Sequence, residues 1–223
     1  MPKKLLKNYL SASDRLSEIM FGLIMAMTII GASRIALISG DEEINGRVII
    51  AATLGCNIAW GLVDGLMYIF SCLIDRGKYN GLIASVKKEK EEKSALALID
   101  KALDSAIIDD LDEAERKQLC ATLYKKLVMK EPGKVRIAMD DVAGAFVCFL
   151  LTFFTAFLIV VPFFIPVIAL GIKMLLSRLV TLAMLFGIGY AYASHTGKGK
   201  VKTAIVMVVL GLVITAVIMV LGG

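Results

Sequence analysis

Two stretches of this chain put carboxylates inside apolar sequence. In Asn57-Ile58-Ala59-Trp60-Gly61-Leu62-Val63-Asp64-Gly65-Leu66-Met67, an amide and an acid stand within a run apolar enough to cross a bilayer. A carboxylate at that depth costs about 2.5–3.5 kcal/mol on insertion scales, so it rarely sits there without a partner or a task. Seven residues apart on a helix, Asn57 and Asp64 share one face, with Trp60, Gly61, Met67, Tyr68 and Ser71 on or beside it. In the second stretch, Asp14 and Glu18 lie four apart at the mouth of another apolar run. Their face continues through Phe21, Gly22 and Met25. If the two runs pack together, Glu18 and Asp64 bracket a site supplied with carboxylate, amide and thioether groups. Oxygen donors suit hard or borderline divalent cations, and a nearby Met shifts preference toward softer metals such as Fe²⁺. Carboxylates that trade a proton for a metal supply the minimum for metal–proton antiport.

Each of these residues also has a plainer role. Asp14 can cap the first helix, Glu18 can be a solvated interfacial acid, and Asp64 can hydrogen-bond across helices. Gly61 and Gly65 form a GxxxG pattern, which marks a helix–helix seam. That seam and a metal site are compatible if both lie at a dimer interface. Eleven methionines in so apolar a chain are individually packing residues before they are ligands.

The elements that would position these groups are membrane spans. Of the 223 residues, 58% are hydrophobic, and the mean hydropathy is +0.78. A soluble domain is closer to half apolar, so the expected class is an all-α, multi-pass integral membrane protein in contact with lipid. Five runs reach the length a hydrocarbon core of about 30 Å requires, near residues 16–40, 48–74, 142–161, 167–194 and 203–221. The expected organisation is an N-terminal arm with helices 1–2 (1–75), a cytoplasmic helical domain (76–141) and helices 3–5 (142–223). Lys and Arg number 4 in the arm, 14 between helices 2 and 3, and 3 in the last loop, 21 of 25 in all. That bias predicts a cytoplasmic N-terminus and an outside C-terminus. It also gives the basic residues an orienting role, which argues against nucleic acid as a partner. Lys3, Lys4 and Lys7 are followed by a polar run from Ser11 to Glu18, unlike a cleavable signal peptide.

Other chemistry is thinly represented. Cys56, Cys72, Cys120 and Cys148 have no CxxC or Cys/His spacing and read as small apolar residues, and His195 is the only histidine. No phosphate-binding loop and no nucleophile–base pair is visible, so neither direct ATP coupling nor an enzyme is expected, and no cofactor.

The hydrophilic segment predicts helices over about 82–106 and from Asp109 to about Met129. Asp109 or Asp110 would cap the second, ahead of Glu113. On helical geometry Glu89 pairs with Glu92, Asp100 with Asp104, and Asp109 with Asp112 and Glu113, clusters that could gather cations. Lysines interleave with Glu89 and Glu92 as on an ordinary solvated helix, which makes the Asp109–Glu115 cluster the better candidate.

This layout resembles the vacuolar iron transporter family. The sequence likeness is best over Ala-Gly-Ala-Phe-Val-Cys-Phe-Leu-Leu-Thr-Phe-Phe-Thr-Ala-Phe-Leu-Ile-Val-Val-Pro-Phe-Phe-Ile-Pro (143–166) and the last two spans with their short basic loop. The resemblance implies five transmembrane helices, a cytoplasmic metal-binding domain between the second and third, and a homodimer with its ion path between subunits. It implies transport sites at an acid in helix 1, here Asp14 or Glu18, and at an acid near a Met in helix 2, here Asp64 and Met67. The family's Asp-Gly in helix 1 is replaced by Ser13-Asp14-Arg15-Leu16-Ser17-Glu18, and its Gly-Glu in helix 2 by Val63-Asp64-Gly65-Leu66-Met67. The expected function is export of Fe²⁺ or Mn²⁺ from the cytoplasm in exchange for protons. The alternative is a non-transporting membrane protein whose cytoplasmic helices dock a partner.

Overall fold

A computed structural model of the chain describes residues 9–40, 43–103, 110–197 and 199–221. Asp109 lies outside the described residues, as do Lys3, Lys4, Lys7, Asp104 and Lys198. In chain order the helices are α1 (Ala12–Ile38), α2 (Gly46–Lys88), α3 (Glu92–Ala102), α4 (Glu113–Met129), α5 (Met139–Val160), α6 (Leu170–Thr196) and α7 (Lys200–Leu221). A 3₁₀ turn, Val161–Phe164, extends α5. Five of these, α1, α2, α5 with its turn, α6 and α7, are long and apolar enough to cross a membrane.

The chain divides into two compact units, Met1–Ile69 with Met139–Gly223, and Phe70–Ala138. In the first, α1, α5 and α6 meet around Leu23, Ala26, Ala156, Ile159, Leu185 and Ile188. Lipid is as apolar as leucine, so spans gain little by hiding leucines from it; close backbone packing has to hold them together. Glycine supplies that closeness. A Cβ on Gly22 of α1 would stand 2.7 Å from the Thr152 carbonyl oxygen of α5. On α2, one added to Gly65 would lie 2.9 Å from the Ala145 carbonyl oxygen, and one on Gly61 would lie 3.1 Å from the Phe149 ring. The GxxxG face is therefore a seam within one chain, between α2 and α5. The α6 helix ends at Gly197, whose φ of +68° is the left-handed conformation glycine accepts readily.

Side-chain caps open α1, α2 and α4, while α3 and α6 start without one. Ser11 and Asp14 form a reciprocal box at the head of α1, and Asn45 Oδ1 accepts from the Arg47 and Val48 amides at the head of α2. At α4 the cap is Asp112, not Asp109 or Asp110. Its carboxylate accepts from the Ala114 and Glu115 amides, and Glu115 bonds back to the Asp112 amide.

The second unit departs further from expectation. The α2 helix does not stop near Ile74 but runs to Lys88, and its 43 residues are about twice what a span needs. Polarity changes after Asp75, but no proline or cap interrupts the backbone there. The helix expected over 82–106 is thus two pieces, the tail of α2 and then α3, with Glu89, Lys90 and Glu91 at the break. Ile83, Val86, Ala95, Ile99, Cys120 and Leu127 form this unit's core, each large aliphatic contributing about 1.5–3 kcal/mol if water surrounds it. The Asn80 side chain clamps the strap after α4, donating to the Gly133 carbonyl at 2.6 Å and accepting from its amide at 3.1 Å.

Candidate functional site

The three glycines described above bring two acid-bearing helices onto one helix. Gly22 lets α1 reach the α5 backbone at Thr152, and Gly61 with Gly65 lets α2 do the same one to two turns away. Glu18 lies one turn from Gly22, and Asp64 sits between the two α2 glycines' levels. Both side chains turn toward the same residue. Thr152 is fully buried, and its Oγ1 lies 3.3 Å from Glu18 Oε2 and 3.5 Å from Asp64 Oδ2. The two carboxyl groups are close enough to act on one another. Residues 46 positions apart in sequence thus form one acid pair, with a hydroxyl between them.

Thr152 has one hydroxyl proton and can satisfy one carboxylate at a time. Cys148, a turn earlier on α5 and buried, lies close enough to be influenced by both acids. Neither Thr152 nor Cys148 stood out in the sequence. Their i, i+4 spacing on the inner face of α5 was the available signal, hidden inside an otherwise apolar span.

The other expected site residues fall elsewhere. Asp14 spends its carboxylate on the Ser11 amide at 3.1 Å, so Glu18 is the helix-1 acid that meets Asp64. Asn57 is fully buried on the same face of α2 as Asp64, about 10 Å further along the helix at 1.5 Å per residue. Its amide nitrogen donates to the Thr53 carbonyl at 2.9 Å. Met67 is 58% exposed and Trp60 52%, both turned away from the buried stripe that runs through Asn57, Gly61 and Gly65. Met25 is half-buried on α1, a turn beyond Gly22.

In the second unit the acids are already engaged or dispersed. The helical pairing of Glu89 with Glu92 is absent, because the break falls between them and both are exposed. Asp112 caps α4, and Glu113 lies 3.6 Å from Lys117. Arg116 bonds the carboxylate of Asp100 and holds it below the usual carboxylate range. Burial, with Asp100 alongside, pushes the Cys120 thiol up. No group of three or more His, Cys, Asp or Glu side chains placed to hold a metal occurs among the described residues.

A sequence model of the VIT family matches residues 80–223, nearly two thirds of the chain. The chain belongs to the VIT family, the vacuolar iron transporters. No curated protein matches it. Membership points to a metal-ion transporter rather than an enzyme. The match begins inside α2, after Asp64, so Glu18, Asn57, Asp64 and Met67 of this VIT-family chain all lie outside it. The assignment of its acid pair therefore stands on geometry.

Proposed function

We propose that this VIT-family chain carries Fe²⁺ or Mn²⁺ out of the cytoplasm in exchange for protons, with Glu18 and Asp64 as the intramembrane ion site. The observation that carries this reading is the acid pair across α1, α2 and α5. Two full negative charges 4 Å apart repel by about 4 kcal/mol even at an effective dielectric of 20. Such a pair calls for a shared proton or a cation, and the exchange of one for the other is the antiport step. Thr152 orients the carboxylates, and the Cys148 sulfur nearby adds a softer donor that favours a transition metal over Mg²⁺. The N-terminus and the 70–138 unit would face the cytoplasm, where the exposed Glu89 and Glu92 draw cations in. A homodimer would turn the outward side chain of Met67 toward its partner.

The same observation weighs against a docking protein in which Asp64 merely glues helices. Glue needs one acid and its donor, and here a second acid, Glu18, meets Asp64 at the same hydroxyl.

The test is Fe²⁺ flux into proteoliposomes under an imposed pH gradient. Native protein should carry gradient-dependent flux, and Asp64→Asn, which keeps shape but loses charge, should lower it about a hundredfold or more. Folded protein that moves neither Fe²⁺ nor Mn²⁺ would refute the reading.

A further inference from the structure

On the inner face of α2, Thr53 and Asn57 lie one turn apart, both fully buried. Asn57 Oδ1 and Thr53 Oγ1 have no hydrogen-bond partner among the described residues. The hydroxyl is unusual among its peers. Thr28, Ser33, Thr155, Thr181 and Thr215 each donate to the carbonyl four residues back, at 2.7–3.0 Å. Thr53 makes no such bond. Each buried polar atom left unsatisfied costs about 1–3 kcal/mol, so two on neighbouring turns ask for a shared polar guest.

The chemistry of the two groups selects the guest. Both are neutral, and an amide oxygen with one hydroxyl cannot replace the hydration of a divalent cation. A water molecule matches that chemistry: it donates to Asn57 Oδ1 and either donates to or accepts from Thr53 Oγ1, the minimum of two polar partners. The α2–α5 seam pairs Gly65 with Ala145 and Gly61 with Phe149, an antiparallel register. One further turn brings Asn57 level with Phe153, the neighbour of Thr152.

We propose that Thr53 and Asn57 hold an internal water molecule, and that this water is the next solvating station beyond the Glu18–Asp64 pair. The station half rests on the transport reading; the water site does not. Asparagine occurs only at positions 8, 45, 57 and 80, so the full chain in lipid nanodiscs, ¹⁵N-labelled at asparagine side chains, gives a sparse amide spectrum. Asn57→Leu assigns the buried signal. Water-edited NMR should show magnetisation passing from water to the Asn57 amide, as it does to the exposed Asn45. No transfer to Asn57 would overturn the water site.

For the station, Thr53→Val and Asn57→Leu should lower gradient-driven Fe²⁺ flux about tenfold or more. Mn²⁺ binding at the acid pair, read by electron paramagnetic resonance, should persist in both. Thr53→Ser, which keeps the hydroxyl, should restore flux. Unchanged flux in the apolar variants would overturn the station. A native chain that moves no metal while Asn57 still contacts water would sink the transport reading and leave the water site standing.

Discussion

Gly22→Ala changes no charge and adds one methyl group, yet it should disable the acid pair. The new Cβ would stand 2.7 Å from the Thr152 carbonyl oxygen, 3.1 Å from Thr152 Cα and 3.2 Å from Thr155 Cβ. Two of these are backbone atoms of α5 and cannot swing aside, so α1 itself must retreat. Restoring ordinary contact, from 2.7 Å to 3.4 Å, moves it by about 0.7 Å. Overpacking of this kind costs about 1–3 kcal/mol. The functional loss should be larger, because Glu18 sits one turn away and its 3.3 Å approach to Thr152 has little slack. The same retreat carries it to about 4 Å, beyond a hydrogen bond. Misplacement on this scale costs up to about a hundredfold in rate where geometry is decisive. Gly55→Ala is the control, since its added methyl meets nothing within 4 Å. Alanine there should be neutral or gain up to about 1 kcal/mol of helix propensity. Thermal unfolding in detergent reads the stability, and proteoliposome flux reads the site. Equal behaviour of the two variants in both assays would refute the claim that glycine-mediated approach to α5 builds the pair.

The helix-1 acids should separate cleanly. Glu18→Gln should abolish gradient-driven flux, whereas Asp14→Ala should keep it and lose about 1 kcal/mol of stability with its cap; flux lost in Asp14→Ala alone would reverse the assignment. In the 70–138 unit, Arg116 depresses the carboxyl of Asp100 in the folded state from a reference value of 3.8. A depressed folded value gives stability that is present above 3.8 and lost as pH falls through the lower folded value. The stability advantage of native protein over Asp100→Asn, followed by thermal unfolding, should therefore be full at pH 6 and shrink below about pH 4. An advantage that grows on acidification would contradict the Arg116 contact.

What could be read from the sequence was whatever the composition of a single helix determines. Five apolar runs of sufficient length became five long helices, because a bilayer-length apolar segment has few other ways to satisfy its backbone. Helix ends were less legible. Asp75 changes the polarity of α2 but not its hydrogen bonding, so the helix continues to Lys88. The break at Glu89–Glu91 carries no proline or glycine to announce it. Asp109, Asp110 and Asp112 are equivalent as caps by type, and it is Asp112 whose carboxylate accepts from the Ala114 and Glu115 amides while Glu115 bonds back. Glu18 and Asp64 were visible as acids in apolar surroundings, but their meeting depends on a third helix. Thr152 looks unremarkable in its own span and takes its role from residues 134 and 88 positions away.

The glycines show why the site could be anticipated only in part. Gly61 and Gly65 form a recognisable seam pattern, yet a pattern on one helix does not name its partner. Gly22 belongs to no GxxxG, only to the looser small-residue pairing with Ala26, and its importance appears when an added methyl meets the Thr152 carbonyl. Position along a span thus indicates which residues are costly enough to need a task. The closeness of approach between spans decides which of them share one. For this chain it joins Glu18 to Asp64, leaves Asp14 to cap its helix, and turns Met67 outward, toward lipid or a partner subunit. If Met67 does contribute a thioether, a second copy must bring it to an acid, and Met67→Leu should then weaken Fe²⁺ flux only under conditions where the protein is dimeric.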